Sequence, residues 1–195
     1  MQTEQRVPNA DQIRDFVIAG HGNLPKVKEM IEANPELLNA AYRWGDNDFE
    51  TAIQAAAQVG SVAVAEFLLE KGAPLEICTA AMLGRVDFVK NQLVADPSKA
   101  NSLGAHGIPL LPHSVWSGNL ELVRYVHERG AKAGANLAFH NAIMKGNTDI
   151  VTWLLDNAGA DLHSKNYQGK TALTVAHERK NEHLVSVLKD YGATD

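Results

Sequence analysis

Three acidic residues alternate over one short stretch, Asp46, Asp48 and Glu50. Alternating carboxylates suggest calcium, but a helix-loop-helix calcium loop needs a longer run of oxygen ligands ending in a bidentate Glu. The surrounding run, Tyr42-Arg43-Trp44-Gly45-Asp46-Asn47-Asp48-Phe49-Glu50, reads better as a hairpin with alternate residues on one side. A solvated acidic finger is the expectation. Eight histidines follow: His21, His106, His113, His127, His140, His163, His177 and His183. None stand at i and i+4 around a helical Glu, and no cysteine pair joins them, so no metal site is expected. His140 is expected to bond the adjacent turn, while His106 and His113 could approach a common ligand. Acid–base candidates are Asp46, Asp48, Glu50, His106 and His113. With no nucleophile–base pair recognisable, no catalytic residue is assigned and the reading leans away from an enzyme.

Two phosphate-like motifs fail on spacing. Gly169-Lys170-Thr171 ends like a phosphate-binding loop, but the first required glycine falls on Ser164. Gly20-His21-Gly22 starts like a dinucleotide fingerprint, and its third glycine position holds Pro25. No cofactor is therefore expected. Cys78 has no basic neighbour close in sequence and reads as a small buried apolar residue.

What must position these residues is an ordinary globular chain. Its 195 residues carry 18 Lys and Arg against 23 Asp and Glu, a net charge of −5. That balance gives no basic footprint for nucleic acid. A single cysteine requires no oxidising compartment. The longest uncharged stretch, Ala100 to Leu120, contains Pro, Gly, His and Asn, which argues against a membrane span. The first residues, Met-Gln-Thr-Glu-Gln-Arg, show neither an apolar signal core nor a basic transit pattern. A monomeric, cytoplasmic protein is expected.

Internal repetition organises the chain. Gly22-Asn23-Leu24, Gly60-Ser61-Val62, Gly84-Arg85-Val86, Gly118-Asn119-Leu120, Gly146-Asn147-Thr148 and the degenerate Lys180-Asn181-Glu182 each lead into an aliphatic run. The intervals are 38, 24, 34, 28 and 34 residues. Upstream of the turn lies a short Ala-rich helix; downstream lies a second helix with apolar residues at three-residue spacing, as in Leu120, Val123 and Val126. Four copies close on Gly-Ala, where glycine supplies a left-handed cap, and two on Asn34-Pro35 and Asp96-Pro97. No unit buries its apolar face alone, so the units must stack.

These features resemble the ankyrin repeat family, from about Asp11 to Asp195. Gly169-Lys170-Thr171-Ala172-Leu173-Thr174-Val175-Ala176 is the nearest copy of the family signature Gly-x-Thr-Pro-Leu-His-x-Ala, Thr51-Ala52-Ile53-Gln54-Ala55-Ala56 is a second, and His140 takes the signature His position. No copy is complete. The third and fifth units, Leu75 to Gly84 and Leu137 to Gly146, leave no room for a full hairpin. The spacing is similar to that of bacterial single-domain members. The resemblance implies an all-α solenoid with short β-hairpin fingers: a polar tail over 1–10, then units of about 11–46, 47–74, 75–104, 105–133, 134–166 and 167–195.

The resemblance also implies binding through finger tips and the concave helix face, where the two residues before each turn glycine lie. Here these are Gly20 and His21, Gln58 and Val59, Met82 and Leu83, Trp116 and Ser117, Met144 and Lys145, and Glu178 and Arg179. The expected site comprises Arg43, Trp44, Asp46, Asp48, Gln58, Met82, His106, Ile108, His113, Trp116, Met144 and Lys145, with Trp44, Arg43, Trp116 and Met82 as anchors. Its expected occupant is a protein or peptide, and the alternative is a small-molecule groove, with or without catalysis. Trp153 is expected in the core, and Trp116→Ala is expected to remove binding while sparing stability.

Overall fold

The computed structural model describes residues 7–194. The polar tail expected over 1–10 falls largely outside the described residues. Six helix pairs follow in order. They are α1 (Ala10–Gly20) with α2 (Leu24–Ala33), α3 (Ala52–Val59) with α4 (Val62–Glu70), and α5 (Ile77–Met82) with α6 (Val86–Ala95). The second half continues with α7 (Leu110–Val115) and α8 (Leu120–Glu128), α9 (Ala135–Lys145) and α10 (Thr148–Asn157), and α11 (Ala172–Glu178) and α12 (Glu182–Asp190). The first helix of each pair stacks on the next such helix, from α1 through α3, α5, α7 and α9 to α11. The second helices form an outer row, with α2 against α4 and α8 and α12 on either side of α10. The fold is thus a helix-turn-helix solenoid, as expected.

The repeated Gly-Asn turn explains the pairing. Its glycine takes the left-handed conformation, and its Asn caps the outer helix: Asn23, Asn119, Asn147 and Asn181 each accept a hydrogen bond from a backbone N–H one turn into the helix. In the last copy Lys180 holds the left-handed position itself, at φ 54°.

Among the described residues strands are confined to one hairpin, β1 (Ala41–Gly45) and β2 (Asp48–Thr51), antiparallel with a bulge between Arg43 and Gly45. Two further fingers carry single bridges, Leu103 to Pro109 and Lys165 to Thr171. The short connections before α5 and α9 carry no strand, in line with the room available there. No helix among the described residues is long and apolar enough to cross a membrane.

The core divides into two clusters. One gathers Phe16, Leu37, Ile53, Leu68 and their neighbours from the first two pairs; the other runs from Ile77 through Phe139 to Leu188. Met82 corrects an expectation. It is 0% exposed and belongs to the first cluster, so it is a core residue joining α5 to the N-terminal repeats rather than a groove anchor. The helix is six residues long and lies between α3 and α7. Trp116, just past α7, reaches beyond that short helix. Its Nε1 donates to the Gln58 carbonyl at 3.0 Å, and its ring packs on the first cluster.

This reach needs Gly60. A methyl group there would meet the Trp116 ring at 2.7 Å, and the residue sits at φ 71°. Trp116 is therefore a half-buried wedge between repeats, so its removal is expected to disturb packing as well as the concave face. Cys78 is buried, and desolvation pushes its thiol up to about 12, which makes it inert. Trp153 packs partly buried against the second cluster and edge-on to His127.

Gly60→Ala is expected to cost about 2 kcal/mol or more, combining left-handed strand-of-backbone strain with the Trp116 clash. Gly169→Ala, at φ 74° with open space around it, carries the strain alone. Thermal unfolding should therefore show a clearly larger drop for Gly60→Ala. Equal drops would mean that the indole does not depend on the gap.

Candidate functional site

The hairpin delivers an unexpected buried acid. Glu50 pairs across the strands with Tyr42 and is 0% exposed, so the finger is not a uniformly solvated acidic strip. Its Oε2 accepts a hydrogen bond from Trp44 Nε1 at 2.8 Å and lies 3.3 Å from His106 Nε2. Its Oε1 has no hydrogen-bond partner and faces His21 Nε2 at 3.5 Å. His21 in turn lies 3.0 Å from the Gln58 side chain. Asp48 approaches the other ring nitrogen of His106, Nδ1, at 2.9 Å. Both nitrogens of His106 thus face carboxyl oxygens, an arrangement that only the doubly protonated ring satisfies with two N–H donors. Partial burial disfavours that charge. The Asp48 hydrogen bond and the charge of Glu50 outweigh it and hold His106 above the usual imidazole range.

His106 occupies the tip of the second finger, in a 3-10 turn over Ala105–Gly107 with φ 55°. His113 is held by other neighbours. That residue is buried, its Nδ1 donates to the Ala57 carbonyl at 3.1 Å, and its Nε2 packs where a side chain on Gly104 would clash at 2.5 Å. Burial lowers the His113 pKa. The two histidines are fastened to different neighbours. Among the described residues no three His, Cys, Asp or Glu side chains gather as a metal site. His140 Nε2 lies 3.1 Å from the Ser164 hydroxyl in the neighbouring finger.

Beside this cluster the inner helices enclose a cavity of about 430 Å³, lined by Gln58, Val59, Ile108, His113, Trp116, Leu137, Asn141, Met144 and Tyr167. Five expected site residues meet there: Gln58, Ile108, His113, Trp116 and Met144. Trp44, Asp48 and His106 belong to the adjoining finger cluster. Arg43 and Asp46 form an exposed ion pair at the hairpin tip, bordering neither the cavity nor Glu50. Lys145 lies over Gly118, close to the cavity wall but not part of it.

Val59, expected on the concave face though not as a contact, completes the lining with Leu137, Asn141 and Tyr167, which were not expected there. Asn141 holds its place by donating to the Pro112 carbonyl at 3.2 Å. Tyr167 is 89% exposed on the third finger, and its only sequence signal was an aromatic next to a turn.

Fold and groove define a helical repeat protein of the kind that presents one continuous concave face. Family comparison makes this specific: the model described as ankyrin repeats (3 copies) matches residues 77–166 and 111–195, and that described as ankyrin repeat matches 48–80. The chain belongs to the ankyrin repeat family, whose arrays are protein–protein interaction modules. It is 34% identical over 135 residues to an ankyrin repeat-containing protein of Treponema pallidum, covering 65% of this chain and 45% of that one. An ankyrin repeat protein of Rickettsia bellii is 30% identical over 89 residues, covering 43% of this chain and 48% of its own length. The human palmitoyltransferase ZDHHC17 is 38% identical over 61 residues, 31% of this chain and 10% of the enzyme. The chain spans less than half of each of these relatives.

Because the folded state raises the pKa of His106, its contribution to stability is complete below the unfolded value of 6.5 and is lost as pH rises through the folded value. The stability gap between the parent and His106→Asn should therefore be widest in mild acid and shrink on the alkaline side of neutrality. Denaturant unfolding across that range checks the sign; a gap that widens with pH would mean the ring is held neutral.

Proposed function

We propose that the chain is a binding module whose groove takes a protein or peptide segment, seated in the cavity between α3, α7, α9 and the second and third fingers. The observation that carries this reading is the exposed apolar lining. Leu137 is 38% and Tyr167 89% exposed, beside Val59 and Ile108, on a concave face. Apolar and aromatic groups in a preformed concavity are the usual composition of an interface centre. Trp44, 40% exposed on the first finger and braced through Glu50, offers a further aromatic contact at the same end. The cavity volume also falls in the range of small-ligand pockets, which keeps a small-molecule occupant as the second reading. We extend the binding reading to a monomer in the cytoplasm, supported by a net charge of −5 and a single, buried cysteine.

Selection of short random peptides displayed on phage against the whole chain tests the groove directly. Peptides that bind the parent should lose binding to Leu137→Asp and Tyr167→Ala, both of which should melt within about 2 °C of the parent as surface changes. Peptides indifferent to both substitutions would place recognition elsewhere. Failure to enrich any peptide, together with thermal stabilisation by a metabolite, would favour the small-molecule reading.

A further inference from the structure

The inner helices distribute charge unevenly. Helices α3, α5 and α7 contain no Asp, Glu, Lys or Arg at all, so the middle of the groove is uncharged. On α1, Arg14 is paired with Asp11 and Asp15, and at the other end Glu178 is paired with Lys170. The acids of the first finger face His106 or Arg43. That leaves Lys145 at the end of α9 and Arg179 just past α11. Among the described residues neither forms an ion pair with a carboxylate. Asp149 shares the shallow depression beside Lys145, but it opens the outer helix α10 and is not ion-paired to it.

Lys145 lies against Gly118, and Arg179 lies against Met144. Lys145 lies flat over Gly118, where a methyl group would meet its Cε at 3.0 Å, and Gly118 follows the cavity wall residue Trp116 by two positions. Arg179 places Nη1 3.9 Å from the sulfur of Met144, another wall residue. In a chain of net charge −5, two uncompensated cations at one end of an uncharged, apolar trough favour a segment of opposite sign at that point. We propose that the groove recognises a peptide segment in which large apolar side chains, seated against Trp116, Leu137 and Met144, adjoin acidic residues lying on Lys145 and Arg179. This rests on the groove reading above and adds the chemistry of the occupant.

The composition of peptides enriched on the whole chain is the first readout. Large apolar residues next to Asp or Glu are expected. One enriched peptide, synthesised with a fluorophore, is then titrated against the parent, the double variant Lys145→Gln, Arg179→Gln and the charge-reversed Lys145→Glu, Arg179→Glu. Charge reversal should weaken binding about tenfold, the size expected from two exposed charge pairs replaced by repulsions, with the neutral variant intermediate. Binding to the parent should also weaken as salt rises. If enriched peptides lack acids, or bind the reversed variant as well as the parent while Leu137→Asp still abolishes binding, the groove reading stands and the acidic partner is overturned. If Leu137→Asp is also without effect, the groove reading itself fails.

Discussion

Close stacking of the inner helices governs where every other side chain of this protein goes. The facing surfaces are built from Ala52, Ala55, Ala56, Ala80, Ala81, Ala138, Ala142, Ala172 and Ala176, all fully buried. At the first junction Gly20 comes so near Ala52 that a methyl group would sit 2.6 Å from its carbonyl oxygen. Backbones this close leave little room between them for a large side chain, and Met82 and Trp116 stand at the helix ends. There they either plug the next junction, as Met82 does, or lie across the concave face, as Trp116 does. A groove lined with large apolar groups is thus a by-product of a seam made of small ones.

The fingers answer to a different requirement. A fully buried carboxyl group is costly unless its oxygens find donors. Glu50 meets that requirement at Oε2, with an indole N–H from its own hairpin and a histidine from the second finger, while Oε1 has no hydrogen-bond partner. The cluster ties β2 to a loop more than fifty residues away in sequence, and Ile108, two positions past His106, continues from it into the cavity wall. The finger that carries this wall residue is therefore held at a ring whose two nitrogens both face acids.

Charge along the concave face completes the picture. Three consecutive inner helices are free of formal charge, and the two cations that follow are not neutralised within the chain. Some exposed charges elsewhere pair locally, as Arg85 does with Glu66 and Arg124 with Glu121. Lys145 lies against Gly118 and Arg179 against the sulfur of Met144, and neither is ion-paired.

Much of the architecture was legible in the sequence because repetition is a one-dimensional signal. Gly-Asn turns, alanine-rich first helices and Gly-Ala closures announce helix pairs wherever they occur, and they depend only on local backbone preference and capping. The absence of strands before α5 and α9 follows from the number of residues available. The side chains of the site were legible only in part. Gln58, Trp116 and Met144 reach the cavity because their positions relative to the turn recur. Met82 has the same position and is buried, since its helix is short and the indole of Trp116 spans the repeat to which it belongs. Nor could local pattern tell that Glu50 is buried while Asp46 is exposed, or that His113 is bound to a backbone carbonyl from an earlier repeat. Repeat spacing sets which residues sit at a helix end. How far a neighbouring repeat reaches over that end is a matter of packing between units, and only the tertiary structure decides it.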